Sequence, residues 1–254
     1  MRDSPDAVFS FNKAIIDSTK EHCVAYKINT AFYEAHGLKG WEAMERTAAY
    51  IPDTHFKIAD AKRGDIGNTS VQYARAFFRL MKFDAVTVAP YMGEDSVRPF
   101  LEFKNKWTIL LGLTSNKGAA DFELQTLLNT AATGDGAFAP EEGGTCFLYE
   151  KVVSSAMQWG TDENLMFVVG ATQSSQLANL RKLAPSHFFL VPGVGAQGGS
   201  LKGISKAALT KDCGLLVNAS RAIIYASEGE DFADEAAAIA QQYHFEMQQY
   251  LEGL

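Results

Sequence analysis

The sequence contains few of the residues that build disulfide frameworks and metal centres. Its three cysteines, Cys23, Cys146 and Cys213, are odd in number, lie far apart and include no CxxC spacing. Such cysteines are typical of reduced thiols in a cytosolic protein. The five histidines form no HxH or HExxH pair, so the sequence predicts no metal site.

Membrane segments and an excess of positive charge are also missing. No apolar run is long enough to cross a bilayer, and the first residues do not resemble a signal peptide. The 23 lysines and arginines are outnumbered by 30 aspartates and glutamates, which leaves a net charge of -7. This balance argues against nucleic acid or a membrane as a partner and makes the cytoplasm the expected location. An anionic ligand would need a local basic pocket.

The pattern of apolar segments predicts an α/β protein. With 254 residues, of which 47% are hydrophobic and 21% charged, the chain has ample material for a core. Short apolar runs alternate with helix-like segments, and no linker divides them, so we expect a single domain over residues 1–254. Seven runs are predicted as buried strands: residues 23–29, 55–60, 83–90, 107–113, 165–169, 188–191 and 214–218.

The number of strands bears on the type of sheet. A TIM (β/α)8 barrel has eight strands, whereas this chain opens on a predicted helix over residues 6–20. Either the first strand is absent from this chain or the sheet is open. The least regular part is a Gly-, Ala- and Thr-rich insert from Thr130 to Thr145, which we interpret as a surface loop.

One short segment carries an acid, a base and a second acid at the end of a predicted strand. Asp60 and Lys62 lie two residues apart, so they leave the strand on the same face, about 7 Å apart. Asp65 follows just beyond, and Asn68 or Thr69 is expected to cap the next helix. In α/β proteins, ligands bind at this end of a strand. A solvated salt-bridge cluster is the alternative, but charged residues seldom end a buried strand without a function.

Other polar residues follow the ends of the remaining strands. If the strands close into a barrel, their carboxyl ends share one mouth, and residues remote in sequence meet there. Alternating positive and negative groups keep one another ionised, and such an array suits charge that develops during a reaction. The predicted mouth contains Lys27, Asp60, Lys62, Thr114, Ser115, the loop 192–199 and Arg221.

A glycine-rich segment follows the sixth predicted strand. Its spacing, Gly193-x-Gly195-x-x-Gly198, matches a dinucleotide-binding motif, but the acidic residue expected about twenty positions later is missing. A phosphate-binding loop is the better interpretation, with Arg221 after the last strand as a second contact. A tight turn without a ligand is the alternative.

Together these motifs resemble those of the orotidine 5'-phosphate decarboxylases. The family signature is matched at Asp60-x-Lys62-x-x-Asp65-Ile66-x-x-Thr69. Segments 60–70, 89–95 and 191–199 resemble the second, mostly bacterial subfamily, and the resemblance runs from residue 6 to about residue 225. It implies a (β/α)8 barrel that acts as a homodimer, with each active site completed by the partner chain.

The resemblance also implies a role for each candidate residue. The catalytic residues that it implies are Lys62, Asp60, Lys27 and Asp65, the last contributed to the neighbouring site together with Ile66 and Thr69. The substrate contacts that it implies are Ser115, or alternatively Thr114, for the pyrimidine, Pro192 near the base, and Gln197 and Arg221 for the phosphate.

The implied reaction is the cofactor-free decarboxylation of orotidine 5'-monophosphate to UMP and CO2, the last step of de novo pyrimidine nucleotide synthesis. Loss of CO2 leaves a carbanion at C6 with no carbonyl positioned to delocalise it. The implied role of Lys62 is to stabilise that charge as an ammonium and then to protonate C6. Asp60 and Asp65 would hold the lysines and crowd the departing carboxylate. The distant phosphate would supply binding energy that closes the loops and stabilises the transition state.

The chain departs from the family pattern at its start. Family members open with a strand whose aspartate contacts the ribose, whereas Met1–Pro5 here runs directly into the first predicted helix. We therefore expect an amino-terminal truncation that removes the first strand. Two other hypotheses stay open, namely a remnant that binds nucleotides without turnover and a sister barrel that acts on a sugar phosphate.

Overall fold

A parallel sheet organises the fold. The computed structural model describes residues 6–128, 144–171, 174–195 and 199–253. In these residues seven strands pair in the order in which they occur along the chain, and every pair is parallel. The strands of the sheet are β1 (Ala25–Asn29), β2 (Phe56–Arg63), β3 (Ala85–Val88), β4 (Trp107–Leu113), β7 (Leu165–Val169), β8 (Phe189–Pro192) and β9 (Leu215–Asn218), and an antiparallel hairpin is formed by β5 (Thr126–Leu128) and β6 (Thr145–Phe147).

Helices connect consecutive strands of the sheet, as parallel pairing requires. None of the helices in the described ranges is long and apolar enough to cross a membrane. The helices are α1 (Ala7–Thr19), α2 (Ala31–Glu34), α3 (Gly37–Tyr50), α4 (Gly67–Arg75, continued by a π-helical turn over Ala76–Leu80), α5 (Glu94–Leu101), α6 (Ala119–Phe122), α7 (Leu148–Ala156), α8 (Ser174–Leu183), α9 (Leu201–Ala208), α10 (Arg221–Ile224) and α11 (Phe232–Glu252).

Alternate residues along the strands face two different cores. This period of two separates a core inside a nearly closed barrel from a core between the sheet and the helices. Because both faces of the central strands β3, β4, β7 and β8 are mostly buried, these strands read as largely apolar runs in the sequence. The inner core contains Ile58, Ala85, Ile109, Met166 and Leu190, and the residues that follow them, Ala59, Val86, Leu110, Phe167 and Val191, belong to the outer core.

The prediction of a seven-stranded sheet of the TIM-barrel type is confirmed, with β1 and β9 at the two ends of the strand order. Since all seven strands run in the same direction, the residues that follow them share one mouth. The candidate site lies at this mouth. The assignment of residues 1–254 to one domain stays a prediction.

The structure differs from the sequence-based expectation at the start of α4 and at the hairpin β5–β6, and β2 extends to Arg63, three residues beyond its predicted end. Helix α4 begins at Gly67, before the two residues expected to cap it, and Ile66 is its N-cap with no side-chain hydrogen bond. In the first turn, the Ser70 hydroxyl donates to the carbonyl oxygen of Asp65 at 2.6 Å. The hairpin β5–β6 flanks the segment expected to be a loop, so Thr145 belongs to a strand. Residues 130–143 of that segment lie outside the described residues.

Candidate active site

The end of β2 carries an irregularity at Lys62. Ala59 pairs with Val86 and Arg63 with Val88, so four steps along β2 match two steps along β3, and β2 holds two extra residues. Lys62 lies in this bulge with a φ of 46°, in the left-handed region that residues other than glycine seldom adopt. Bulges of this kind redirect side chains and are common next to active sites.

Three charged side chains meet at the ends of β1 and β2. Lys27 Nζ donates to Asp60 Oδ2 at 2.7 Å, and Lys62 Nζ donates to Oδ1 of the same carboxylate. The side chains of Lys27 and Asp60 are only 11% and 10% exposed, whereas that of Lys62 is 50% exposed. The structure thus brings these three predicted residues together, and Lys62 is the member that is open to the mouth.

The carboxylate of Asp60 is held in its ionised form. Burial raises the pKa of Asp60, but the ammonium groups of Lys27 and Lys62 together lower it more, so the pKa lies below the ordinary value of 3.8. Thr87 adds a neutral donor, since its Oγ1 donates to Asp60 Oδ1 at 3.1 Å. A negative charge between two positive charges is therefore preorganised where little water competes.

Asp65 stands apart from this charged array. Its Oδ1 accepts the backbone N–H of Ile66 at 2.8 Å. Across the described residues, no hydrogen bond or ion pair joins Asp65 to Asp60 or Lys62. Ile66 and Thr69 are exposed. The structure therefore places Asp65 and Ile66 on a turn after β2 and Thr69 in the first turn of α4, all outside the array.

The end of β4 is shaped by a close approach from the end of β7. A Cβ added to Gly170 would lie 2.8 Å from both the amide nitrogen and the Cβ of Ser115. Only glycine at position 170 therefore leaves enough room for Ser115. Glu123 holds the neighbouring Thr114, whose N–H donates to Oε2 at 2.7 Å and whose Oγ1 donates to Oε1 at 2.8 Å.

The glycine-rich segment after β8 is described at residues 193–195 and 199. Val194 and Gly199 form a bridge, and Gly195 has a φ of 74°. A Cβ added to Gly195 would lie 2.6 Å from the hydroxyl oxygen of Tyr243 on α11, so the loop packs directly against the last helix. Gln197 lies outside the described residues.

The remaining predicted substrate contacts, Pro192 and Arg221, lie on either side of this loop in the sequence. Pro192 ends β8 half-buried and pairs with Asn218 at the end of β9, and the exposed Arg221 opens α10 shortly after. A cleft of about 280 Å³, lined in part by Ala222, lies between the loop and α11. A guanidinium and a glycine-rich loop at neighbouring strand ends suit the binding of a phosphate.

Three residues that shape the site were not singled out from the sequence. Thr87 and Glu123 hydrogen-bond to predicted site residues, and Gly170 makes room for one. Thr87 has a local signal, because it is the polar residue of the otherwise apolar strand Ala85–Val88. Glu123 and Gly170 have none, since their roles arise only from tertiary contacts. Within the described residues, no group of His, Cys, Asp or Glu is arranged to hold a metal ion.

Comparison with known proteins identifies the family. The profile described as the orotidine 5'-phosphate decarboxylase / HUMPS family matches residues 8–236. The orotidine 5'-phosphate decarboxylase of Christiangramia forsetii is 55% identical over 253 residues, which cover 98% of this chain and 87% of the relative. That of Phocaeicola vulgatus is 52% identical over 249 residues, which cover 97% of this chain and 86% of the relative.

Solved structures agree with these matches. The OMP decarboxylase of Leishmania donovani superposes with a TM-score of 0.79 at 35% identity, covering 96% of this chain and 90% of that one. A putative orotidine-monophosphate-decarboxylase from Toxoplasma gondii gives a TM-score of 0.81 at 34% identity, covering 96% and 85%. Sequence, barrel and charged array lead to one conclusion: the chain belongs to the orotidine 5'-phosphate decarboxylase / HUMPS family.

Proposed function

We propose that this chain decarboxylates orotidine 5'-monophosphate to UMP and CO2, the last step of de novo pyrimidine nucleotide synthesis, without a cofactor. The observation that carries the proposal is the array of Lys27, Asp60 and Lys62 at the barrel mouth. Relatives at 50% to 55% identity bear the name of this enzyme. These names favour the decarboxylase over a sugar-phosphate enzyme or a remnant without turnover.

The array supplies the electrostatics of the proposed reaction. The substrate carboxylate lies beside the ionised Asp60, so the two negative charges repel each other in the bound substrate. As the bond between C6 and the carboxylate breaks, CO2 leaves and the electron pair stays on C6, where the Lys62 ammonium stabilises it. Lys62 then transfers a proton to C6, which gives UMP and a neutral amine that regains its proton from water.

Exposure distinguishes the proposed roles of the two lysines. Lys62 is half exposed at the mouth, so its ammonium can reach a ligand while it contacts Asp60 Oδ1. Lys27 is shielded from water and donates to Oδ2. We therefore assign proton donation to Lys62 and assign to Lys27 the task of holding Asp60 ionised and in place.

Substrate binding is assigned to the ends of β4, β8 and β9. Ser115 is proposed to contact the pyrimidine, and Pro192 is proposed to lie near the base. Gln197 and Arg221 are proposed to bind the phosphate, because a planar guanidinium can donate two parallel hydrogen bonds to a phosphate. In a chain with a net charge of -7, such a local cation is what attracts an anionic substrate.

The exposed turn after β2 supports a homodimer with shared active sites. Ile66 on this turn is 54% exposed and Tyr91, after β3, is 90% exposed, so both apolar side chains are available to an interface. We propose that Asp65, Ile66 and Thr69 reach the site of a second copy. A twofold contact would cover the apolar side chains and complete both sites at once.

The proposed location of the enzyme is the cytoplasm. All three cysteines are free and half-buried in the structure. Free thiols persist in reducing compartments, whereas secreted proteins more often use their cysteines in disulfides.

Loss of orotidine 5'-monophosphate absorbance with the purified 254-residue chain tests the proposal. Turnover is expected, and Lys62→Ala should abolish it while UMP binding stays measurable. The matched control is Lys106→Ala, because Lys106 pairs with Asp84 at the opposite end of the barrel; it should turn over like the wild type. An inactive wild-type chain would refute the decarboxylase, and full activity in Lys62→Ala would refute the role of Lys62.

A further inference from the structure

We infer that Thr87 is a positioning residue for Lys62, an inference that rests on the proposed function of Lys62 as the proton donor. Thr87 lies on β3, beside the bulged end of β2, and is only 1% exposed. It therefore acts through its neighbours, without touching the substrate. Its hydroxyl contacts both the backbone of Lys62 and the side chain of Asp60.

The hydroxyl of Thr87 replaces a backbone partner that the bulge removes. The β2–β3 register passes from Ala59 to Arg63, so Lys62 has no residue opposite it on β3. The N–H of Lys62 donates instead to Thr87 Oγ1 at 2.8 Å. A shielded N–H without an acceptor is unfavourable, and so is left-handed backbone at a lysine. Thr87 therefore stabilises the backbone conformation from which Lys62 reaches Asp60.

The same hydroxyl closes a ring of hydrogen bonds around Lys62. Because Thr87 Oγ1 accepts the Lys62 N–H, its own hydrogen is directed to Asp60 Oδ1, 3.1 Å away. That oxygen also accepts from Lys62 Nζ. Lys62 is thus held at its backbone and at its ammonium through one threonine and one carboxylate. A β-branched residue suits this task, since its side-chain torsion is stiff.

The outer face of the bulge is anchored separately. Arg63, the residue after Lys62, pairs with Glu34 on α2 and lies 5.4 Å from the ring centroids of both Tyr73 and Phe77. The chain beyond Lys62 is therefore held by contacts that do not involve Thr87. Removal of the Thr87 hydroxyl should then loosen Lys62 locally and leave the end of β2 in place.

A second buried threonine offers a matched control. Thr108 lies on β4, the strand next to β3, and is fully buried, but its Oγ1 has no hydrogen-bond partner within the described residues. Replacement by valine removes a hydroxyl of the same kind at both positions. Loss of the Thr108 hydroxyl should be neutral or stabilising, because no partner is left unsatisfied.

The first test compares the rates of decarboxylation of orotidine 5'-monophosphate. Thr87→Val should lower kcat by about 10- to 100-fold, because a displaced reacting group costs a factor of this size, while KM changes by less than about threefold. Thr87→Ser restores the hydroxyl and should recover most of kcat. Thr108→Val should keep the kcat and KM of the wild type. If Thr87→Val does not fold, Thr87→Cys serves instead, since a thiol is a weak donor and acceptor.

The second test needs no turnover. In amide hydrogen exchange, the Lys62 N–H should exchange at least about tenfold faster in Thr87→Val than in the wild type or Thr87→Ser, because its acceptor is gone. The amides of β3 and β4 should be unchanged, which shows that the barrel is intact. Equal exchange of the Lys62 N–H in all three proteins would overturn the inference.

The two tests separate this inference from the proposed function. If Lys62→Ala is inactive while Thr87→Val keeps the kcat and exchange of the wild type, only the role of Thr87 is wrong. If the wild-type chain has no activity, the proposed function fails, and the exchange experiment still decides whether Thr87 holds the Lys62 backbone. A loss of kcat that Thr87→Ser does not recover would indicate a packing effect and would also overturn the inference.

Discussion

Lys27 and Asp60 are 33 residues apart in the chain, yet Lys27 Nζ lies 2.7 Å from Asp60 Oδ2. They meet because β1 and β2 are neighbours in the sheet and both side chains face the shielded interior of the barrel. Lys62 engages the other oxygen of the carboxylate. Removal of one partner from such a group leaves a poorly solvated charge.

Lys27→Met should impair both stability and catalysis. We expect the free energy of unfolding to fall by about 1–3 kcal/mol, less than for most broken buried pairs, because Lys62 still neutralises Asp60. The value of kcat should fall by about 100-fold, because Asp60 loses its alignment. Urea unfolding and the decarboxylation assay measure the two effects. Lys106→Met, at the other end of the barrel, should change neither by more than a small amount, and equal losses in both variants would contradict this account.

The depressed pKa of Asp60 predicts a dependence of stability on pH. Since its pKa in the folded protein lies below 3.8, the folded protein binds this proton less readily than the unfolded chain does. The resulting stabilisation is complete above about pH 4 and is lost as the pH falls through the folded-state value. Asp60→Asn cannot titrate, so the difference in unfolding free energy between the wild type and this variant should shrink below about pH 4. A difference that stays constant across this acidic range would disprove the coupling.

Gly170→Ala should displace Ser115. An added Cβ would lie 2.8 Å from the backbone of Ser115, so we expect a loss of about 1–3 kcal/mol in unfolding free energy and weaker UMP binding. Calorimetry of unfolding and of UMP binding measures both. Gly203→Ala is the matched control, because an added Cβ there meets no atom closer than 3.7 Å. It lies in α9 and should stabilise the protein by up to about 1 kcal/mol. Unchanged UMP binding in Gly170→Ala would argue against a role for Ser115.

Ile66→Asp tests the proposed dimer. A charge on the exposed turn after β2 should raise the dissociation constant of the dimer by about 100-fold. It should also lower turnover at low protein concentration, because Asp65 no longer reaches the second site. Sedimentation and activity are measured over the same concentrations. Leu80→Asp changes a leucine that is 74% exposed at the other end of the barrel, against 54% for Ile66, and should leave the dimer intact. A fully active wild-type monomer would rule out shared sites.

The charged array was predictable because it follows from topology. Parallel strands present their carboxyl ends at one edge, so Lys27 and Asp60 had to approach each other once their strands were recognised. The central strands were recognisable because both of their faces are mostly buried. Leu165–Val169, for example, is buried at every position and contains only apolar residues.

Features that depend on tertiary contacts could not be predicted. The strands of the hairpin β5–β6 are three residues long and mostly exposed. They therefore lack the longer run of buried apolar residues from which a strand is predicted. The bulge at Lys62 is defined by its register against β3, which no local pattern encodes. Thr87 has a local signal as the polar residue of β3, but its hydrogen bond to the Lys62 backbone depends on that bulge.

The order of the strands along the chain has a consequence for biosynthesis. Lys27 and Asp60 lie on the first two strands, whereas Arg221 follows the last one. A chain emerging from the ribosome therefore carries the charged pair long before the residues proposed to hold the phosphate. Because domains fold as units, Lys27 and Asp60 stay hydrated until the later strands have been synthesised. The unfavourable removal of water from this pair therefore occurs in the final stage of folding.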